Sequence, residues 1–388
     1  MSHLPAEIIF AILEHGYYSL FGSVDHAFLF SCSLVCTSWS APAQSLLFRS
    51  PTELTSRTRP KFYAAILSSV VHGKDLGSVV RSLKTTLVDS PYEDYHPSNL
   101  AQLLRVCPKV YELSISVDGL HQFDKVCLAE LETVGQGIRA LNIRRCRVQS
   151  PVVFQLLDIW PSIRFLSIGT EIVAWPWRTL RNSSDTAVRL EARQGARVAL
   201  YELVLSRTPS LNVLRWILAS SSTSLRILDL REFPGAGTRE ILQLHAPLLR
   251  SLRLLHYNTF AAAFLRLCTG LEELVVYQIP LTIVTFGTFS NDIPRSIEHL
   301  SFRNPPWAPT HTLRPILEAV DVLPKLRTLT CDRESERLEE FAILQSKCMQ
   351  KGVEITVSSE PLWVPEDPVV VKRFPRKRSV SNFRLMSN

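Results

Sequence analysis

A short pattern of hydrophobic positions recurs along most of the chain: an apolar residue, two others, a leucine, one other, and a second apolar residue. The central leucines of its eight copies are Leu113, Leu141, Leu166, Leu228, Leu252, Leu274, Leu300 and Leu329. Alternation over the last residues of each copy predicts a short strand with one apolar face. Successive central leucines are 22 to 29 residues apart, except for a gap of 62 that leaves room for a degenerate copy around Ala187–Ala192.

The segments between these strands carry apolar residues at helical spacing. One strand cannot bury its apolar face alone, so the copies are expected to stack into a parallel sheet, and each parallel connection needs a crossover of about a dozen residues. The predicted crossover helices cover 99–106, 126–134, 152–159, 238–244, 260–267 and 313–322. Leu211–Trp216 also fits the strand pattern, but it lies only 14 residues before Leu228, so we assign it to a helix. The predicted fold class is α/β, with an irregular leucine-rich-repeat solenoid of parallel strands and crossover helices.

The first 50 residues contain none of these repeat copies. Three short helices are predicted there: one that begins at Leu4, one over Ala27–Ser38 and one over Ala41–Phe48. Pro5 is tolerated in the first turn, where its missing N–H costs nothing. So short a segment cannot bury all of its apolar side chains, and we expect a partner to cover some of them.

The order of residues in this segment resembles an F-box. The matching positions are Leu4, Pro5, Glu7, Ile8, Ile9, Ile12, Leu13, Leu34, Val35, Cys36, Trp39, Leu47 and Phe48. The segment departs from the family at Thr37, where a basic residue is usual, and in the longer, more aromatic stretch Glu14–Phe28. The resemblance implies that these residues contact the adaptor Skp1 or form the core of a three-helix F-box. It further implies that Skp1 joins the chain to a cullin–RING ubiquitin ligase while the repeats hold a substrate.

An ordinary helical cap on the repeats would use the same apolar pattern, because terminal repeats need caps. The two interpretations place the same domain boundaries. We expect the F-box over 1–49, a linker and first irregular repeat with a strand at Ser82–Leu87 over 50–97, and the repeats over 98–360. Residues 361–388 form the tail.

Charge is concentrated in that tail. The chain of 388 residues has a formal charge of +7, and residues 361–388 contain six basic groups against two acidic ones. The remaining +3 leaves the body close to neutral, which excludes a protein that coats nucleic acid with its whole surface. We expect the tail to be solvated and disordered. Nuclear import, phosphorylation at Ser379 or Ser381, and contact with acidic partners are alternatives for it.

Catalytic chemistry has no sequence signature here. Glycine-rich phosphate loops, dinucleotide-binding loops, nucleophile elbows and zinc-protease helices do not occur in the sequence, so we predict no enzymatic activity and no cofactor.

The eight cysteines include no Cys-x-x-Cys pair and are expected to stay reduced; Cys32 and Cys36 are expected to be buried side chains rather than metal ligands. No stretch is apolar over the length needed to span a bilayer, and no secretory signal is expected at the amino terminus. We therefore expect a cytoplasmic or nuclear protein.

These patterns together predict the substrate-recognition subunit of an SCF (Skp1–cullin–F-box) ubiquitin ligase, with Skp1, the cullin–RING ligase and an unidentified protein substrate as partners. Neither a membrane nor a nucleic acid is an expected partner. Candidate substrate contacts lie at and after strand ends: Arg144, Arg145, Arg231, His256, Tyr257, Tyr277 and Arg303. The alternative is a leucine-rich-repeat scaffold without a ligase, which binds protein or, through its basic tail, nucleic acid.

Overall fold

The chain forms two compact units. The computed structural model describes residues 4–19, 22–88, 98–174, 195–232, 237–278, 289–303, 312–358 and 366–386. The first unit contains the described residues up to 174 together with 366–370 and 377–386. The second unit contains the described residues 195–358 together with 371–376.

The first unit begins with helices and continues with alternating strands and helices. Its elements are α1 (Ala6–His15), α2 (His26–Ser33), α3 (Thr37–Arg49), α4 (Arg59–Val71), β1 (Ser82–Val88), α5 (Ser98–Val106), β2 (Glu112–Asp118), α6 (Lys125–Val134), β3 (Ala140–Arg145), α7 (Val152–Ile159) and β4 (Phe165–Ile168). Strands β1 to β4 are parallel and lie in sequence order. Each strand therefore pairs with the next one along the chain, as crossover helices require.

The second unit repeats this arrangement. Its elements are β5 (Glu202–Leu205), α8 (Leu211–Leu218), β6 (Ile227–Leu230), α9 (Thr238–Leu242), β7 (Ser251–His256), α10 (Thr259–Leu265), β8 (Glu273–Gln278), α11 (Phe289–Asp292), β9 (His299–Phe302), α12 (Arg314–Val322), β10 (Thr328–Asp332), α13 (Phe341–Lys351) and β11 (Glu354–Ser358). Strands β5 to β11 are parallel and follow sequence order. The tail adds a short helix, α14 (Asn382–Leu385), to the first unit.

The central leucines form a ladder across the strands of each unit. In the first unit Leu113 pairs with Leu141, and Leu141 with Leu166. In the second unit the paired positions are Leu203, Leu228, Leu252, Leu274, Leu300, Leu329 and Ile355. The ladder leucines are fully buried. Every copy places its leucine at the same point of its strand, so stacking in register buries them all on one face. The predicted α/β fold of leucine-rich repeats is confirmed, with all eight predicted strands.

Two strands were not predicted. Strand β5 lies within the motif Leu200-Tyr-Glu-Leu203-Val-Leu205. This motif fits the repeat pattern but is not among the eight predicted copies. The copy predicted around Ala187–Ala192 lies outside the described residues. Strand β11 was missed because it has Ile355 in place of the central leucine and Gly352 in place of the first apolar residue. The surface loop predicted near Asp89–Ser98 also falls almost entirely outside the described residues.

Helix boundaries differ at the second and third helices. Helix α2 ends at Ser33 rather than Ser38, and α3 begins at Thr37, so Trp39 lies inside α3. The physical reason is Cys36, whose extended backbone ends the turn after α2 and forms the N-cap of α3. Leu211–Trp216 is helical within α8, as predicted from its spacing.

The connector after α3 is attached to the sheet instead of being a free linker. Leu54 is buried and forms a parallel bridge with Thr85 of β1. Beside it, both carboxylate oxygens of Glu53 accept hydrogen bonds from Arg144 at 2.7 and 2.9 Å. The first part of the predicted linker thus covers the edge of β1, which would otherwise present unpaired backbone groups.

The prediction of a disordered tail is wrong for residues 366–386. Buried apolar side chains occur at intervals along this segment: Val369, Val371, Phe374, Val380, Phe383 and Met386. The high density of basic residues between them hides this spacing in the composition. Burial of these six apolar side chains offsets part of the conformational-entropy cost of ordering the segment.

Candidate functional site

Helix α1 carries two apolar stripes, only one of which faces the protein. Ile9 and Leu13, four residues apart, are buried, whereas Ile8 and Ile12, also four apart, are 47% and 40% exposed. Leu4, just before the helix, is 49% exposed. Residues four apart lie on the same face of a helix, so Ile8 and Ile12 form one exposed apolar strip. The inward stripe alone holds α1 in place.

A second group of exposed apolar side chains surrounds the turn between α2 and α3. Leu34 is 70% exposed, and Val35 and Phe30 are exposed to a similar degree. Helix α3 contacts both α1 and α2. We call Leu4, Ile8, Ile12, Phe30, Leu34 and Val35 the amino-terminal apolar surface. Exposed apolar clusters of this kind mark sites of protein interaction.

The structure divides the thirteen residues of the F-box resemblance by exposure. Leu4, Pro5, Glu7, Ile8, Ile12, Leu34, Val35 and Cys36 are exposed; Trp39, Leu47 and Phe48 are half-buried; Ile9 and Leu13 are buried. Sequence reasoning missed Phe30, an exposed aromatic residue in the middle of α2. Its signal is weak, because a phenylalanine between Leu29 and Ser31 looks like a core position until the buried face of the helix is known.

Cys36 corrects the expectation of a buried thiol. It is exposed at the N-cap of α3, whereas Cys32 is buried. The Ser38 hydroxyl lies 3.1 Å from the Cys36 sulfur, and this hydrogen bond, with the backbone N–H of Trp39, lowers the pKa of the thiol. All eight cysteines lie in the described part of the chain and none forms a disulfide. Within that same part, no cluster of three or more His, Cys, Asp or Glu side chains is arranged to hold a metal ion.

The tail reinforces the segment between α1 and α2. Phe383 makes an edge contact with the buried Tyr17, at 5.7 Å between ring centroids, and lies beneath the guanidinium of Arg49. The buried carboxylate of Asp367 accepts hydrogen bonds from Asn382 at 2.8 Å and from Tyr18 at 3.5 Å. Burial raises the pKa of both tyrosine phenols. The long aromatic stretch that departs from the F-box pattern is therefore where the carboxyl-terminal tail binds.

In the second unit, the strand face opposite the leucine ladder is also buried and contains charged groups. Glu273 accepts hydrogen bonds from Arg253 Nε and Nη2 at 3.1 and 2.8 Å, and from the Ser251 hydroxyl. His299 Nδ1 lies 2.9 Å from Glu273, and its Nε2 lies 2.9 Å from Thr330 Oγ1. Burial would raise the pKa of the Glu273 carboxyl, but the charge of Arg253 and the hydrogen bond with His299 outweigh it and hold that pKa well below its usual range.

Acid should therefore destabilise the protein through Glu273. A carboxyl whose pKa is lower in the folded state contributes stability above its unfolded pKa, about 4.3 for glutamate, and loses that contribution as the pH falls further. We expect the free energy of unfolding to drop as the pH falls from about 5 to about 2 in urea titrations, and Glu273→Gln to reduce this drop. An equal drop in the variant would show that other carboxyl groups cause the acid sensitivity.

The seven predicted substrate contacts are mostly engaged in the fold. Arg145 is exposed; Arg144, Arg231, His256 and Arg303 are half-buried; Tyr257 and Tyr277 are buried. Tyr257 donates a hydrogen bond to Asp292 and makes an edge contact with Phe289. Arg144 is paired with Glu53, Arg231 with Asp229, and Arg303 donates to the Ser358 carbonyl. Tyr257, directly after β7, and Tyr277, within β8, are both buried and are therefore corrected to core residues.

Comparisons with known proteins concern the fold alone. No family model matches the chain, and no curated protein matches it. Among solved structures, the leucine-rich repeat-containing protein LegL7 from Legionella pneumophila is similar at 15% sequence identity and a TM-score of 0.41, over 72% of this chain and 83% of that one. A protein from Bacteroides fragilis is similar at 12% identity and a TM-score of 0.37, over 66% and 68%. The leucine-rich-repeat fold of this chain rests on its own strand register and crossovers.

None of the described helices is both long and apolar enough to cross a membrane.

Proposed function

We propose that this protein is the substrate-recognition subunit of an SCF ubiquitin ligase, in which α1 to α3 bind Skp1 and the repeats bind a protein substrate. The amino-terminal apolar surface supports this proposal. Leu4, Ile8, Ile12, Leu34 and Val35 are exposed at positions that the F-box resemblance assigns to adaptor contact or to the F-box core. A simple cap would turn such residues inward, as Ile9 and Leu13 are turned.

In this function the chain contributes proximity instead of chemistry. The adaptor fixes α1 to α3 on the ligase, and the stacked repeats hold the substrate within reach of the ubiquitin-charged enzyme. Bringing two reactants together in a fixed geometry converts a bimolecular encounter into a local one. Parallel repeats suit this role, because each is braced by its neighbours over an extended surface.

Substitutions on the amino-terminal apolar surface test this proposal. Ile8→Asp and Leu34→Asp should each weaken Skp1 binding by at least about 30-fold, since a charge at the centre of an apolar interface loses 2 kcal/mol or more. Both side chains are exposed, so the melting temperature should hardly change. Binding of purified Skp1 to the full chain can be measured by calorimetry.

Val71→Asp is the matched control, because Val71 is an apolar side chain on α4 that is 82% exposed and lies outside the resemblance. It should bind Skp1 like the wild type. A wild-type chain that does not bind Skp1, or Ile8→Asp and Leu34→Asp chains that bind it normally, would contradict the proposal and favour a scaffold without a ligase.

Protein is a better supported partner for this chain than nucleic acid. Two of the six basic side chains of the tail are engaged within the fold: Arg376 with Glu202, and Arg378 with the Gly22 carbonyl and Asp367. Lys372, Arg373, Lys377 and Arg384 remain exposed. Four cations are a weak electrostatic footprint compared with the basic stripe of a nucleic-acid-binding domain.

A further inference from the structure

Residues 371–376 of the tail lie on the second unit as a bent segment whose backbone is bound by side chains. The Val371 N–H donates to the Tyr201 hydroxyl at 3.3 Å. Arg250 donates from Nη1 to the Val371 carbonyl at 2.7 Å and from Nη2 to the Lys372 carbonyl at 3.0 Å. Peptide-binding surfaces use such contacts to backbone groups for affinity and leave specificity to side-chain pockets.

Two side chains of the segment act as anchors. The Phe374 ring is buried, with the Arg250 guanidinium 5.5 Å from its centroid. Arg376 donates from both Nη atoms to the two carboxylate oxygens of Glu202, at 2.7 and 2.8 Å, and these side chains are only 6% and 10% exposed. Lys372 and Arg373, just before the anchors, are exposed. The contacts therefore select an aromatic residue and, two positions later, an arginine.

The surface that receives these anchors is preorganised. Arg250 is itself held by Glu272 through two hydrogen bonds of 2.7 and 2.6 Å. A guanidinium fixed by a carboxylate on one side presents its remaining N–H groups in a set direction. The receiving surface, which we call the anchor site, consists of Glu202 at the start of β5 and of the residues that directly precede β5, β7 and β8, which are Tyr201, Arg250 and Glu272.

Glu202 differs from Glu273, which lies at the same level of the sheet. The pairing runs from Glu202 through Ile227 and Ser251 to Glu273. Glu273 is held by residues of the neighbouring strands, through an ion pair with Arg253 and a 2.9 Å hydrogen-bond contact with His299. The ion pair of Glu202 is supplied by the tail. A buried carboxylate without a counter-charge is costly. Because the counter-charge of Glu202 comes from the tail and not from a neighbouring strand, the site around Glu202 is suited to binding an arginine side chain.

We propose that the anchor site recognises a short peptide of the form aromatic-x-arginine in a protein partner, and that residues 371–376 occupy it as an intramolecular ligand. The proposal rests on the proposed function in one respect: the repeats are taken to be the surface that binds a protein substrate. A tethered segment acts at an effective concentration on the order of millimolar. A partner peptide of similar intrinsic affinity must therefore displace the tail to bind.

The test uses the full-length chain and a labelled peptide with the sequence of residues 371–376, Val-Lys-Arg-Phe-Pro-Arg. In fluorescence anisotropy, the peptide should bind the double variant Phe374→Ala/Arg376→Ala at least about 100-fold more tightly than the wild type, because the tethered competitor has lost its anchors. A peptide carrying Arg376→Lys should bind that variant at least about 10-fold more weakly, since lysine cannot form the two-pronged contact with Glu202.

Lys372→Ala/Arg373→Ala is the matched control, because it removes two exposed cations from the same segment and should leave the anchor site occupied, with peptide binding as in the wild type. Limited trypsin digestion supplies a readout independent of the peptide: cleavage after Arg373 should be at least about 10-fold faster in Arg376→Ala than in the wild type. Equal peptide affinity of wild type and double variant, or no binding by a folded double variant, would overturn the proposal. So would unchanged trypsin cleavage.

These outcomes are separate from those of the adaptor experiment. The peptide assay contains no Skp1, and Ile8→Asp lies outside the anchor site, so it should leave peptide binding intact. If the chain does not bind Skp1 but the peptide binds as expected, the ligase proposal is rejected and the anchor site stands as a site that binds arginine-containing peptides. Skp1 binding without the peptide result would retain the ligase subunit and reject the anchor site.

Discussion

Glu273→Ala is expected to lower the free energy of unfolding by about 3–5 kcal/mol, because it removes the carboxylate that accepts two hydrogen bonds from the buried guanidinium of Arg253. Both side chains are almost inaccessible, at 8% and 1% exposure. The variant also removes the acceptor of the Ser251 hydroxyl and the partner of His299 Nδ1. Asp229 lies opposite Arg253 on the neighbouring strand, but its carboxylate already pairs with Arg231.

Urea unfolding followed by circular dichroism measures this loss. The matched variant is Glu273→Leu combined with Arg253→Met, which replaces the ion pair by apolar side chains of similar size and should recover most of the stability. Recovery would show that the cost comes from the orphaned charge and not from lost packing. A Glu273→Ala variant within 1 kcal/mol of the wild type would show that Arg253 reaches solvent when its partner is removed.

The repeat fold could be predicted from the sequence because its determinants are local. Each copy carries its own leucine and its own crossover helix, so a window of about 25 residues contains what is needed to place a strand. The register then follows, because identical copies align their leucines. The pattern failed only where one member was replaced, as at Ile355, or where a fitting copy such as Leu200–Leu205 was missed.

The tail and the anchor site could not be predicted because their contacts join residues far apart in the chain. Arg376 and Glu202 are separated by 174 positions, and Arg250 and Val371 by 121. No periodic pattern links such residues, and the composition of the tail favours a disordered segment. A basic residue in a tail and an acidic residue on a strand are each unremarkable until the fold brings them together.

The exposed apolar side chains of the amino-terminal helices could be predicted from the sequence only in part. Hydrophobicity identifies both Ile8 and Ile9 as candidates, but it cannot say which of two adjacent isoleucines turns inward. The elements that pack against α1, among them α3, determine which of the two isoleucines is buried. The sequence therefore predicts that some apolar side chains here are exposed, and the tertiary structure determines which ones they are.

Trp160→Ala is expected to destabilise the first unit by about 3–5 kcal/mol, the range for removing a fully buried large aromatic side chain. Trp160 follows α7 and is inaccessible to solvent. Its indole Nε1 donates to the Leu131 carbonyl of α6 at 3.0 Å. The ring also lies against Gly135 at the end of α6, where an added Cβ would come within 2.0 Å of Nε1. Trp160 thus joins two successive crossover helices by packing and by a hydrogen bond.

Two further variants separate these contributions in thermal and urea unfolding. Trp160→Phe keeps most of the aromatic volume and removes one of two donors to the Leu131 carbonyl, which still accepts from the Gly135 N–H at 2.9 Å, so the lost hydrogen bond should cost about 0.5–1.5 kcal/mol. Gly135→Ala should cost about 1–3 kcal/mol with Trp160 present, because the new methyl group collides with the ring. In the Trp160→Ala background the same Gly135→Ala change should cost much less, since the collision is gone. Additive costs in the double variant would show that Gly135 and Trp160 act independently, and the joint between α6 and α7 would then have to lie elsewhere.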